Sequence, residues 1–113
     1  MIRKHPMIVA GREISSEKEI TVIYPFDGTK VHKVAEADWV EVDMALRAAE
    51  KGFRETRKLS RRQRVDILEA LSREIQRNSE ELAKTIVLET GKTIREARTE
   101  VCRCLETIRL SII

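Results

Sequence analysis

Three four-residue signatures set what this chain can fold into: Asp38-Trp-Val-Glu41, Ser60-Arg-Arg-Gln63 and Thr93-Ile-Arg-Glu96. Each has the pattern of a capping box. The first side chain accepts from first-turn amides, and the fourth reaches back to the N–H of the cap residue. Each opens a run whose apolar residues recur at helical spacing. The first run carries Val42, Ala45, Leu46, Ala49 and Phe53, and the second Val65, Leu68, Leu71 and Ile75. The third carries Ile94, Ala97, Val101, Leu105 and Ile108. Asn78 or Ser79 can restart the second helix, with Leu82 and Ile86 continuing its apolar face. Gly91 suits the position just past a helix end, where a positive φ costs glycine little. The pattern predicts three or four helices over 37–113.

Residues 1–36 predict a ribbon of strands. Met7-Ile-Val-Ala10 is a short apolar run stopped by Gly11. Ile20-Thr-Val-Ile-Tyr24 is β-branched and aromatic, the chemistry of a strand. Pro25 ends it, and Asp27-Gly28 signals a turn. Lys30-Val-His-Lys-Val34 alternates polar and apolar, as a half-buried strand does. The expectation is a hairpin around Tyr24 to Val34, with Met7 to Ala10 as a third, antiparallel strand.

The fold class is therefore α+β: one partial domain over 1–113, strands first and helices after. The broad apolar stripes exceed what a three-stranded ribbon covers. A parallel sheet is their natural partner, yet no buried-strand run follows. Leu110-Ser-Ile-Ile113 is also apolar to the last residue, whereas chain ends are commonly polar and frayed. Both features suggest an incomplete domain.

At 113 residues the chain is one domain at most. Apolar residues make 42% and charged residues 36%, a globular rather than disordered balance. Aromatics are 4%, so the core is aliphatic and no aromatic nucleic-acid platform is expected. No run of about 18 apolar residues is present to span a membrane. The N-terminus lacks the apolar segment of a secretion signal. Cys102 and Cys104 would point about 160° apart on a helix and cannot bridge. A reducing compartment, the cytoplasm, is the expected location.

No residue stands out as catalytic, cofactor-binding or metal-binding. Gly91-Lys92-Thr93 ends like a phosphate-binding loop, but the first glycine of that loop would fall at Ile86, which belongs to a helix face. Cys102 and Cys104 sit inside a predicted helix, away from anything that would activate a thiol. Cys104 is expected to pack as a small core hydrophobe beside Val101 and Leu105. His5 and His32 are far apart in sequence and lack metal-ligand spacing. Glu80, Glu81, Glu89, Glu96 and Glu100 read as helix-start residues or charge partners. Five basic residues crowd Arg57 to Arg64, and without a recognised binding motif they read as a solvated turn or a subunit contact.

A series of short motifs is more specific than any one of them. In order they are Tyr24-Pro-Phe-Asp-Gly28, Val31-x-x-Val34, Val42-Asp-x-Ala-Leu-x-Ala-Ala49 and Gly52-Phe53. Next come Leu59-Ser-x-x-Gln-Arg64, Ile67-Leu68, Glu81-Leu-Ala83, Glu89-Thr-Gly-Lys92, Glu96-Ala-Arg98 and Glu100-Val101. This series resembles the N-terminal part of the aldehyde dehydrogenase superfamily, with a flavour of lactaldehyde, semialdehyde or glyceraldehyde-phosphate dehydrogenases. The resemblance implies NAD(P)-dependent oxidation of aldehydes by a much longer subunit with a Rossmann-like cofactor domain. It implies that the catalytic cysteine, glutamate and asparagine, the glycine motif and the cofactor lysine all lie downstream of the matched region. This chain would then be scaffold, with helices meant for one face of the nucleotide-binding sheet. It would bind no cofactor and be inactive alone, self-associating or awaiting a C-terminal dehydrogenase chain. Two other readings remain: one subunit of a split dehydrogenase, or a small helical interaction or nucleic-acid-binding module.

Overall fold

The computed structural model describes residues 2–113. The order is five strands and then four helices: β1 (Arg3–His5), β2 (Met7–Val9), β3 (Arg12–Ile14), β4 (Glu19–Ile23), β5 (Lys30–Ala35), α1 (Trp39–Thr56), α2 (Arg61–Arg77), α3 (Ser79–Thr90) and α4 (Ile94–Ile112). The architecture is α+β, as the patterning predicts. Two compact units divide it, Met1–Lys58 and Leu59–Ile113, so that α1 groups with the strands.

In the first unit a three-stranded sheet has the order β1-β5-β4. The β4–β5 pair is antiparallel, with Ile20 opposite Val34 and a bulge at Val22/Ile23. Its connection is closed by Tyr24 N–H donating to the Thr29 carbonyl at 2.8 Å and Gly28 N–H to the Tyr24 carbonyl at 2.9 Å. Asp27 Oδ1 accepts from Thr29 N–H at 2.9 Å. Gly28 has φ +76°, where a side chain would be strained.

The third strand differs from the expectation. Met7–Val9 does not join this sheet; it pairs with Arg12–Ile14 in a separate two-stranded hairpin. Ala10 (φ 53°) and Gly11 (φ 73°) reverse the chain within two residues, so the partner nearest in sequence takes β2 first. The free edge of β5 is taken instead by Arg3–His5, and that pairing is parallel. Its basic residues carry no strand signature, but an edge strand tolerates charge. Lys4 Nζ meets Glu19 Oε1 at 2.6 Å and Lys33 Nζ meets Oε2 at 3.0 Å, which ties all three strands together. These two hydrogen bonds, Lys4 first, hold the Glu19 carboxyl below its ordinary range.

Helix α1 starts as its capping box requires. Asp38 Oδ1 accepts from Val40 N–H at 2.8 Å, and Glu41 Oε2 accepts from Asp38 N–H at 2.9 Å. It rests on β2, yet none of its residues is fully buried.

In the second unit α4 packs on both α2 and α3. The core is small: Ala83, Ala97 and Val101, with Ile75, Ile86 and Val87 packed around them. Ser60 and Thr93 cap α2 and α4 as predicted. The α2–α3 break falls at Asn78, whose Nδ2 donates back to the Glu74 carbonyl at 2.8 Å instead of capping α3. Gly91 ends α3 in the left-handed conformation, φ 73°.

Candidate functional site

The Gly91-Lys92-Thr93 loop is built as a helix junction. Gly91 N–H donates to the Val87 carbonyl at 2.9 Å, Lys92 N–H to Thr90 Oγ1 at 3.3 Å, and Thr93 N–H to Glu96 Oε2 at 3.0 Å. The amides of Gly91, Lys92 and Thr93 are therefore spent within the protein. The Lys92 ammonium is paired with Glu100. Glu96 is held below its usual range, chiefly by the Thr93 backbone hydrogen bond and then by the Thr93 hydroxyl. The junction has the geometry of a stop followed by a start, not of an anion site.

Of the other carboxylates, Glu80 is gripped by Arg98. Members of the basic run have local partners: Lys58 pairs with Glu55 at 3.2 Å and Arg62 with Asp66 at 2.9 Å. Arg61 Nη2 donates to the Ile113 carbonyl at 2.8 Å, and Arg57 and Arg64 are engaged too.

Both cysteines are exposed. That corrects the placement of Cys104 in the core. It lies on the apolar side of α4, but the helices over that side cover Ala97, Val101 and Ile108 and leave Cys104 open. Neither thiol has a histidine or a helix N-terminus beside it in sequence.

His5 and His32, separated in sequence, are brought together. The parallel pairing sets Arg3 opposite His32 and His5 opposite Val34, so both histidines fall on one face of the sheet. Their rings meet edge to face with centroids 5.0 Å apart. The missed strand β1 is why spacing alone could not show this. Among the described residues no group of three or more His, Cys, Asp or Glu side chains could hold a metal ion.

What the helices do present is uncovered apolar surface. On α1, Trp39 is 86% exposed, Leu46 66% and Phe53 64%. Ile67 and Leu71 on α2 and Leu110 on α4 are exposed as well. Isolated exposed apolar residues are ordinary, but rows of them on one helix mark a surface meant to be covered.

The sequence profile of the aldehyde dehydrogenase family matches residues 12–112. The chain belongs to the aldehyde dehydrogenase family. It is 40% identical over 95 residues to aspartate-semialdehyde dehydrogenase 1 of Pseudomonas canavaninivorans, covering 84% of this chain and 20% of that protein. It is 31% identical to the lactaldehyde dehydrogenase of Methanocaldococcus jannaschii, covering 93% of this chain and 22% of the relative. Among solved structures, aldehyde dehydrogenase 21 of Physcomitrella patens, in complex with the reaction product succinate, superposes with a TM-score of 0.94 at 26% identity, covering 99% of this chain and 24% of that one. PnpE in complex with nicotinamide adenine dinucleotide superposes at 0.87 with 31% identity, covering 94% and 22%. The chain thus corresponds to the N-terminal part of an aldehyde dehydrogenase and spans about a fifth of the length of these curated relatives. No helix among the described residues is long and apolar enough to cross a membrane.

Proposed function

We propose that this chain is a scaffold segment of the NAD(P)-binding domain of an aldehyde dehydrogenase. In this reading it contributes to oxidation of a small aldehyde, semialdehyde or lactaldehyde-like, only when the remainder of a dehydrogenase subunit is present. The observation that carries the reading is the pairing of short coverage with open helix faces. The match takes in nearly the whole chain and about a fifth of each relative, while apolar residues on α1, α2 and α4 stay uncovered. Covering them is worth roughly 25 cal/mol per Å2, so the remainder would be a strong partner for these helices.

The only Gly-Lys-Thr loop does not suit a dinucleotide phosphate, because its amides are already donated within the chain. The dinucleotide contacts, and the thiolate that attacks the aldehyde, are therefore assigned to the remainder. The remainder could equally be a separate chain, making this one half of a split enzyme.

The test is an absorbance assay at 340 nm with NAD+ or NADP+ and a panel of semialdehydes and lactaldehyde. The chain alone should show no turnover. Addition of the complementary downstream portion of a relative should restore it. Turnover by the purified chain alone would overturn the proposal.

A further inference from the structure

We propose that His5 and His32 form a two-histidine site for a late divalent transition-metal cation such as Zn2+ or Ni2+. Three observations carry this. First, strand pairing places both imidazoles on one face of the β1-β5-β4 sheet, with ring centroids 5.0 Å apart. Two imidazoles bound side by side to one metal, each with nitrogen at about 2.0–2.1 Å, have centroids roughly 5 Å apart. Second, His32 Nδ1 is buried and has no hydrogen-bond partner. A buried polar atom of this kind calls for an explanation, and an ion is one. Third, Lys4 and Lys33, the chain neighbours of the two histidines, face the other side of the sheet, where Glu19 neutralises both.

Arg3 shares the histidine face but is exposed. Imidazole nitrogen suits zinc, nickel and copper rather than magnesium or calcium. No third protein ligand adjoins among the described residues, so water completes the coordination and affinity is modest. The ion would also clasp β1, a three-residue edge strand, to the central strand β5.

The experiment is a Zn2+ titration of the full chain carrying Cys102→Ser and Cys104→Ser, because both thiols are exposed and would compete. The readout is the imidazole nitrogen resonances by NMR, with affinity by calorimetry. The expected result is one equivalent bound, with the resonances of both histidines shifting together. His5→Gln, on the edge strand, should weaken binding by at least about tenfold, the lower end of the loss seen even for outer-shell partners. Circular dichroism of that variant confirms that the fold is retained. Absence of any shift at millimolar Zn2+, a shift of only one histidine, or undiminished binding in His5→Gln would each overturn the site. The titration of the unsubstituted histidines decides the matter even if a variant fails to fold.

Discussion

Arg98 grips Glu80 through two hydrogen bonds, Nε to Oε1 at 2.8 Å and Nη2 to Oε2 at 3.0 Å, joining α4 to the first turn of α3 across 18 residues of sequence. The planar guanidinium matches the carboxylate in a way that lysine cannot. The negative end also sits at the start of a helix, where the dipole favours it. Both side chains remain solvated, so the pair positions α3 on α4 more than it stabilises them.

That pair makes stability depend on acid pH. The Arg98 hydrogen bond holds the Glu80 carboxyl below its ordinary value of 4.5. Below that value the unfolded chain takes up the proton first, so the contribution is full above about pH 4.5 and disappears as pH falls through the folded value. Glu80→Gln should lower the melting temperature slightly at pH 7, and its difference from the parent should shrink as pH falls below 4.5. Arg98→Lys should behave alike at pH 7. Thermal unfolding by circular dichroism at pH 7 and at a series of lower pH values checks both.

The α3–α4 contact leaves no room for larger side chains. Ala83 and Ala97 are each 0% exposed. Ala97→Leu should cost about 1–3 kcal/mol through overpacking. Urea denaturation of parent and variant should show a lower midpoint at unchanged slope.

The junction between α3 and α4 rests on two local devices. Gly91→Ala places a Cβ at φ 73° and should cost about 1–2 kcal/mol. Thr93→Ala removes the cap that accepts from Glu96 N–H and should cost about 1 kcal/mol. Because the residues share one turn, the double variant should depart from the sum of the two. A double-mutant cycle in urea measures this.

The open face of α1 should make the isolated chain sticky. Paired Leu46→Glu and Phe53→Lys substitutions should reduce binding of a hydrophobic dye and concentration-dependent association, with helix content unchanged. Sedimentation velocity at several concentrations, beside far-UV circular dichroism, provides the check. A sharp, concentration-independent melt of a monomer in the parent would contradict the prediction.

Much of this molecule is legible in the residue order, and Asp38, Ser60 and Thr93 show why. Each cap bonds to an amide two or three positions away, so the residues that specify it are neighbours in the chain. Gly91 is readable for the same reason. The turn at Asp27-Gly28 is equally local, closing between Tyr24 and Thr29. The motif series from Tyr24 to Val101 points to the family because it needs only order and spacing.

Arg3–His5 is the counterexample. Nothing in three polar or basic residues marks a strand; they become one because the edge of β5 offers them hydrogen bonds. Met7–Val9 reads in sequence as a partner for that sheet, but Ala10 and Gly11 fold it onto Arg12–Ile14. Cys104 lies on the apolar side of α4 yet stays exposed, since periodicity shows which way a residue faces and not what covers it. By itself the sequence determined the helices, their caps and the family, because those depend on interactions a few residues long. Only the tertiary structure decided which strands pair, that His5 meets His32, and which apolar faces lie open, because those depend on groups distant in sequence meeting in space.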